Sequence, residues 1–177
     1  MLTGMRVGEL AALKWSCIDE DFIHIDFSEH RLDYSDRPSE LIIGEPKNGK
    51  HRVIPITKEI RELLDIIQSI HHASPTSDDF IFVRSNGSRY SGHCIGSALA
   101  RRADEAGISK TSIHGIRRTV SSMLRIILPA KAVAEMLGHL ETTNERFYNY
   151  DICEISEKRK ALSEMSSKVI TIRSGVA

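Results

Sequence analysis

Apolar positions recur along this chain with two periods, and the changes of period mark its elements. Met5, Leu10 and Leu13 predict a short helix near the N-terminus, capped by Thr3, with Arg6 in its first turn. Residues 22–27, FIHIDF, alternate at period two and predict a strand. Leu41 to Gly44 predicts a second strand and Arg52 to Ile56 its hairpin mate, joined by a turn at Asn48-Gly49. Residues 28–40 between them are a polar, acidic connection. Ile60, Leu63, Leu64, Ile67 and Ile70 place a helix behind the cap residue Thr57. Phe80 to Val83 reads as a short strand before an Asn86-Gly87 turn. Ser91 opens a helix through Ile95, Leu99 and Ala103 that Gly107 stops.

The second half is helical throughout. Ile113, Ile116, Val120, Met123, Leu124 and Ile127 form one stripe at helical spacing. Pro129 suits the first turn of a helix running through Val133, Met136 and Leu137 and ending at Gly138. Thr142 and Glu145 have capping-box spacing for another short helix, which Phe147 anchors. Asp151 and Glu154 open a tail helix in which Ile155, Leu162 and Val169 recur every seven residues. Such a stripe packs either on its own domain or on a neighbour. The elements together predict an α+β domain, mostly helical, with a small antiparallel sheet on one side.

Composition narrows the class. The 177 residues suffice for one domain with a sizeable core, and 41% hydrophobic content suits a globular protein. No apolar run approaches the roughly 20 residues of a membrane span, and no secretory leader pattern opens the chain. Cys17, Cys94 and Cys153 are odd in number and widely spaced, which points to reduced intracellular thiols and a cytoplasmic setting. Net charge is zero, but its distribution is polarised. Residues 84–131 hold nine Lys or Arg against Asp104 and Glu105, whereas residues 19–40 hold eight acids against Arg31 and Arg37. One face is thus suited to phosphates, with an ordinary mixed surface as the equal alternative.

Candidate chemistry lies at both ends of the chain. On the helical wheel His114, Arg117 and Ser121 fall together beside the 113–127 stripe, one turn apart. His139 follows the helix-stopping Gly138, and Tyr148 comes nine residues later. Arg6 is at odds with a helix N-terminus, which prefers anions, so it needs a partner; Glu9 at i+3 is the nearest. The alternative partner is a phosphate. Lys47 precedes the Asn48-Gly49 turn and Lys50 follows it; by itself a lysine at a hairpin tip mainly aids solubility. Arg101, Arg102, Lys110 and Arg118 are candidate phosphate contacts, with a solvated face as the alternative.

TGMRVGEL, a hairpin lysine, HGIRRT, LGH and the tyrosine nine residues on resemble, in order and spacing, the catalytic domain of the tyrosine recombinase (phage integrase) family. The resemblance runs from about residue 3 to about residue 165. It implies an integrase-like DNA breaking-rejoining fold whose lysine-bearing hairpin reaches into double-stranded DNA. It implies Arg6, Lys47, His114, Arg117, His139 and Tyr148 as the catalytic set, with Tyr150 a second candidate nucleophile. The implied reaction is metal-free and needs no cofactor: strand cleavage through a covalent 3′-phosphotyrosine, then rejoining. A homotetramer on DNA, linked by C-terminal helices (here 152–170), and action at the bacterial nucleoid are implied as well. So is a preceding DNA-clamping domain, which makes residues 1–177 a catalytic-domain fragment by expectation.

Two rival functions follow from the residues. One is the same fold without activity, acting as a DNA-bound regulator or remnant. The other is a metal-dependent hydrolase using His71, His72 and His93, which lack the i, i+4 spacing of a helical zinc motif.

Overall fold

The computed structural model describes residues 3–71, 79–108, 112–138 and 155–174, with the side chains of residues 48, 71 and 169–174 outside that description. The expected caps at Thr142, Glu145, Asp151 and Glu154, the anchor Phe147 and the side chain of Val169 lie outside it. The element order is α1 (Val7–Ala11), β1 (Phe22–Ile25), β2 (Ser28–Leu32), β3 (Glu40–Gly44), β4 (Arg52–Pro55), α2 (Lys58–His71), α3 (Gly92–Glu105), α4 (Ile113–Leu124), α5 (Ala130–Leu137) and α6 (Ile155–Ser174). The α+β expectation, mostly helical with a little antiparallel sheet, holds.

The strand pairing differs from the expected hairpin. β3 and β4 are not mates: β1 pairs with β4 and β2 with β3, both antiparallel. Burial gives the reason. Ile23 and Ile25 of β1 and Ile54 of β4 are buried, and Ile23 stands opposite Ile54 in register. β3 begins with exposed Glu40 and Leu41, so it gains nothing from the core edge and pairs instead with β2. The acidic connection therefore contains a strand. Asn48-Gly49 belongs to a 3₁₀ turn, Lys47–Gly49, joining strands of different ladders.

Other local expectations divide. Ser91 caps α3 by accepting the Cys94 backbone N–H at 3.3 Å, and Gly107 ends it at φ +66°. Thr57 accepts the Ile60 N–H at 3.4 Å before α2. α1 is not capped by Thr3. Arg6 is its N-cap, and the Glu9 carboxylate takes the Arg6 backbone N–H at 2.7 Å, half of a capping box. Phe80 to Val83 is no strand; it makes single bridges, Lys14 with Phe80 and Val83 with Arg89. Pro129 stands one residue before α5, as its N-cap.

The core joins β1 and β4 to the helices, with Ile54, Ile81, Leu124, Val133, Leu137 and Leu162 fully buried. The α4 stripe is narrower than expected, since Ile127 is exposed. α6 folds back onto its own domain, against α4, β4 and α2. Its buried face is Lys158, Ala161, Leu162, Met165 and Ser166, a 3.6-residue pattern in place of the seven-residue stripe, and Ile155 is 48% exposed. Arg159 pairs with Asp21 at 2.6 Å and Lys158 with Glu135 at 3.4 Å at the edge of this contact. Among the described residues no helix is long and apolar enough to cross a membrane.

Candidate functional site

A helix leaves its last carbonyls without backbone partners, and those oxygens carry the negative end of its dipole. At the end of α5 three consecutive carbonyls are taken by three arginines. Arg52 Nε donates to Met136 O at 2.9 Å, Arg117 Nη2 donates to Leu137 O, and Arg6 Nη2 donates to Gly138 O. The arginines come from β4, α4 and the N-cap of α1, so distant parts of the sequence meet at one point. Gly138 adopts φ +67° and ends α5, as the sequence predicts.

Glu9, only 1% exposed, lies beneath the cluster. Arg52 grips it with a two-pronged pair, Nη1 to Oε1 at 2.9 Å and Nη2 to Oε2 at 2.7 Å. Arg6 adds Nη1 to Oε1 at 2.9 Å. Burial alone would raise the Glu9 carboxyl, but the bonds and charge of Arg52, with the bonds from Arg6, outweigh it and hold it below its ordinary value. Glu9 is thus a carboxylate. Three guanidiniums against this one carboxylate leave a surplus of two positive charges.

Arg117 feels that surplus. Burial first, then the charges of Arg6 and Arg52, lower its pKa from the usual arginine range to about 10, with Glu9 opposing. It remains charged at neutral pH, and a second anion would relieve the repulsion. Its Nη1 donates to Gly4 O at 2.6 Å. Gly4 is obligatory there: its φ is +63°, and an added Cβ would stand 2.7 Å from Leu137 Cδ2.

Of the residues singled out in the sequence, Arg6 and Arg117 are brought together, with Arg6 keeping 27% of its side chain exposed. His114 is exposed on α4, one turn before Arg117. Lys47 is exposed on the 3₁₀ turn, five residues before Arg52. Arg101 and Arg102 are exposed and face Glu105 of their own helix at 3.9 and 2.7 Å. Arg118 is exposed on α4. His139, Tyr148, Tyr150 and Lys110 lie outside the described residues, as does His72. Among the described residues no three of His, Cys, Asp and Glu are grouped so as to hold a metal ion.

Arg52 was not singled out by sequence reasoning. A signal existed: Arg52 is in phase with Ile54 and Ile56, both buried, so a charge occupies an inward strand position. Beside it a cavity of about 550 Å³ is lined by Lys50, His51, Lys131, Met136 and Gly138, among others.

The family model described as "Phage integrase family" matches residues 1–151, and the chain belongs to that family. Prophage integrase IntF of Escherichia coli (strain K12) is 30% identical over 142 residues, covering 78% of this chain and 26% of that protein. Tyrosine recombinase XerC of Roseiflexus castenholzii is 29% identical over 154 residues, covering 84% of this chain and 44% of that protein. The chain thus spans less than half the length of these relatives. Among solved structures, XerA recombinase matches with a TM-score of 0.61 at 23% identity, covering 94% of this chain and 53% of that one. The lambda integrase catalytic core matches at 0.55 and 19% identity, covering 78% of this chain and 77% of that one. These two structures share the fold.

Proposed function

We propose that this chain is the catalytic domain of a site-specific DNA recombinase, cutting and rejoining double-stranded DNA through a 3′-phosphotyrosine at Tyr148. The observation that carries this reading is the convergence of Arg6 and Arg117 on the last carbonyls of α5, with excess positive charge. A phosphodiester under attack gathers charge on its non-bridging oxygens, and paired guanidiniums match that geometry. Arg6 and Arg117 hold those oxygens, with His139, the residue after Gly138, adding a hydrogen bond. Lys47 protonates the departing 5′ oxygen. His114 exchanges a proton with the nucleophile side, since a phenol is a weak nucleophile at neutral pH. The phosphotyrosine retains the energy of the broken bond, so rejoining draws on no nucleotide.

The exposed cations Arg101, Arg102 and Arg118, together with Lys110, contribute to the DNA contact on this reading. The parent element is a phage or other mobile element, the place of action is the nucleoid, and the working form is a homotetramer on DNA. The buried face of α6 is engaged within its own domain, so the subunit contact uses other surfaces of that helix.

The test is a nicked suicide DNA substrate that traps the covalent adduct. The chain is expected to form a denaturation-resistant adduct, and Tyr148→Phe to lose it. An adduct on Tyr148→Phe would refute the assignment. Salt-dependent DNA retention without any adduct from the parent chain would move the reading to a DNA-binding remnant.

A further inference from the structure

Arg52 has no part in the chemistry proposed above, and its side chain is buried, 6% exposed. Yet all three of its nitrogens are bonded: two on Glu9 at 2.9 and 2.7 Å, one on Met136 O at 2.9 Å. We propose that Arg52 is a positioning residue, clamping Glu9 to the end of α5 and thereby fixing the direction in which Arg6 points. The inference rests on the phosphate-holding role proposed for Arg6 and Arg117.

Glu9 has two oxygens, and Arg52 occupies both. Arg6 therefore meets Glu9 with one Nη alone and turns the other toward Gly138 O. Without Arg52, Glu9 would be open to a two-pronged pair with Arg6, drawing its second Nη off the α5 end. The backbone at Gly138 also lies on the Arg52 guanidinium: an added Cβ there would stand 2.8 Å from Nη1 and 3.0 Å from Cζ. Arg52 thus sets the level of the α5 end on which Arg6 and Arg117 both rest. Its own support is firm, because β4 is held by β1 and carries fully buried Ile54 two residues on. Lysine keeps the charge, but one ammonium cannot span both Glu9 oxygens and the Met136 carbonyl in this planar arrangement.

The test uses Arg52→Lys, with Glu9→Gln as a second variant should the first fail to fold. Arginine side-chain ¹⁵N NMR on the chain without DNA reads the positioning directly. In the parent chain the two Nη groups of Arg6 are expected as separate, slowly exchanging signals. In either folded variant those signals are expected to move from their parent positions, as the second Nη of Arg6 is released from Gly138 O. Unchanged Arg6 signals in a variant whose amide spectrum is native would overturn the proposal. Single-turnover adduct formation supplies the second readout. Arg52→Lys is expected to lose about 10-fold or more in rate at saturating DNA, with the half-saturating DNA concentration unchanged. A rate within twofold of the parent chain would also overturn it. If the parent chain forms no adduct, the phosphotyrosine reading fails, and the NMR measurement still decides the role of Arg52.

Discussion

Two glycines end helices in nearly the same left-handed conformation but in different surroundings, and comparing them measures the arginine cluster. Gly107 has φ +66° with nothing within 4 Å of an added Cβ. Gly138 has φ +67°, and its added Cβ would meet Arg52 Nη1, Cζ and Nε at 2.8, 3.0 and 3.2 Å. Alanine at either position carries the left-handed penalty, about 1–2 kcal/mol. At Gly107 that is the whole cost. At Gly138 the guanidinium must move, and it is held at three points with no flexible end to swing aside. Losing one charge-assisted hydrogen bond of that set adds about 1.5–3 kcal/mol. Gly107→Ala is therefore expected to cost about 1–2 kcal/mol, and Gly138→Ala about 2.5–5 kcal/mol. Urea unfolding of the parent chain and both variants, at equal m-values, measures the two losses. Equal losses would show that Arg52 does not lie against Gly138, and the cluster geometry would be wrong.

Three further outcomes are expected. Glu9 has a depressed pKa when folded, so its contribution is complete above the ordinary value of 4.5 and is lost as pH falls through the lowered one. Glu9→Gln is therefore expected to flatten the acid side of the stability–pH curve, and an unaltered slope would contradict its pairing. Leu162 is fully buried, so Leu162→Ala is expected to cost about 2–5 kcal/mol by denaturant unfolding, whereas a near-zero cost would mean that α6 is not docked on its own domain. Asp21→Asn breaks the Arg159 pair between half-exposed side chains, 57% and 42% exposed, and is expected to cost less than about 1 kcal/mol in the same assay.

Much of this architecture was legible in the residues because its signals are local. Ser91, Thr57, Gly107 and Gly138 each mark a helix end through a neighbouring backbone group, and each acts as its residue type predicts. The pairing of Arg6 with Glu9 was legible for the same reason, at three residues' separation. The strand pairing was not. Asn48-Gly49 is a strong hairpin signal, but it cannot outweigh the burial of Ile54 against Ile23, a contact set by tertiary packing. The tail failed for a related reason: a heptad stripe of apolar residues is visible, yet the buried face includes Lys158 and Ser166, which a hydrophobic pattern passes over. Arg52 was missed because a charged residue at a strand start reads as surface until its partners are known, and those partners are 43 and 84 residues away.

The central claim is that Arg6 and Arg117 jointly hold one scissile phosphate. Its most direct measurement is single-turnover adduct formation on the nicked substrate by the parent chain, Arg6→Ala and Arg117→Lys, each checked as folded. Both variants are expected to fall on the order of 10² or more in rate, by loss of preorganised charge at Arg6 and of the planar fork at Arg117. Adduct formation at the parent rate by either variant would contradict it.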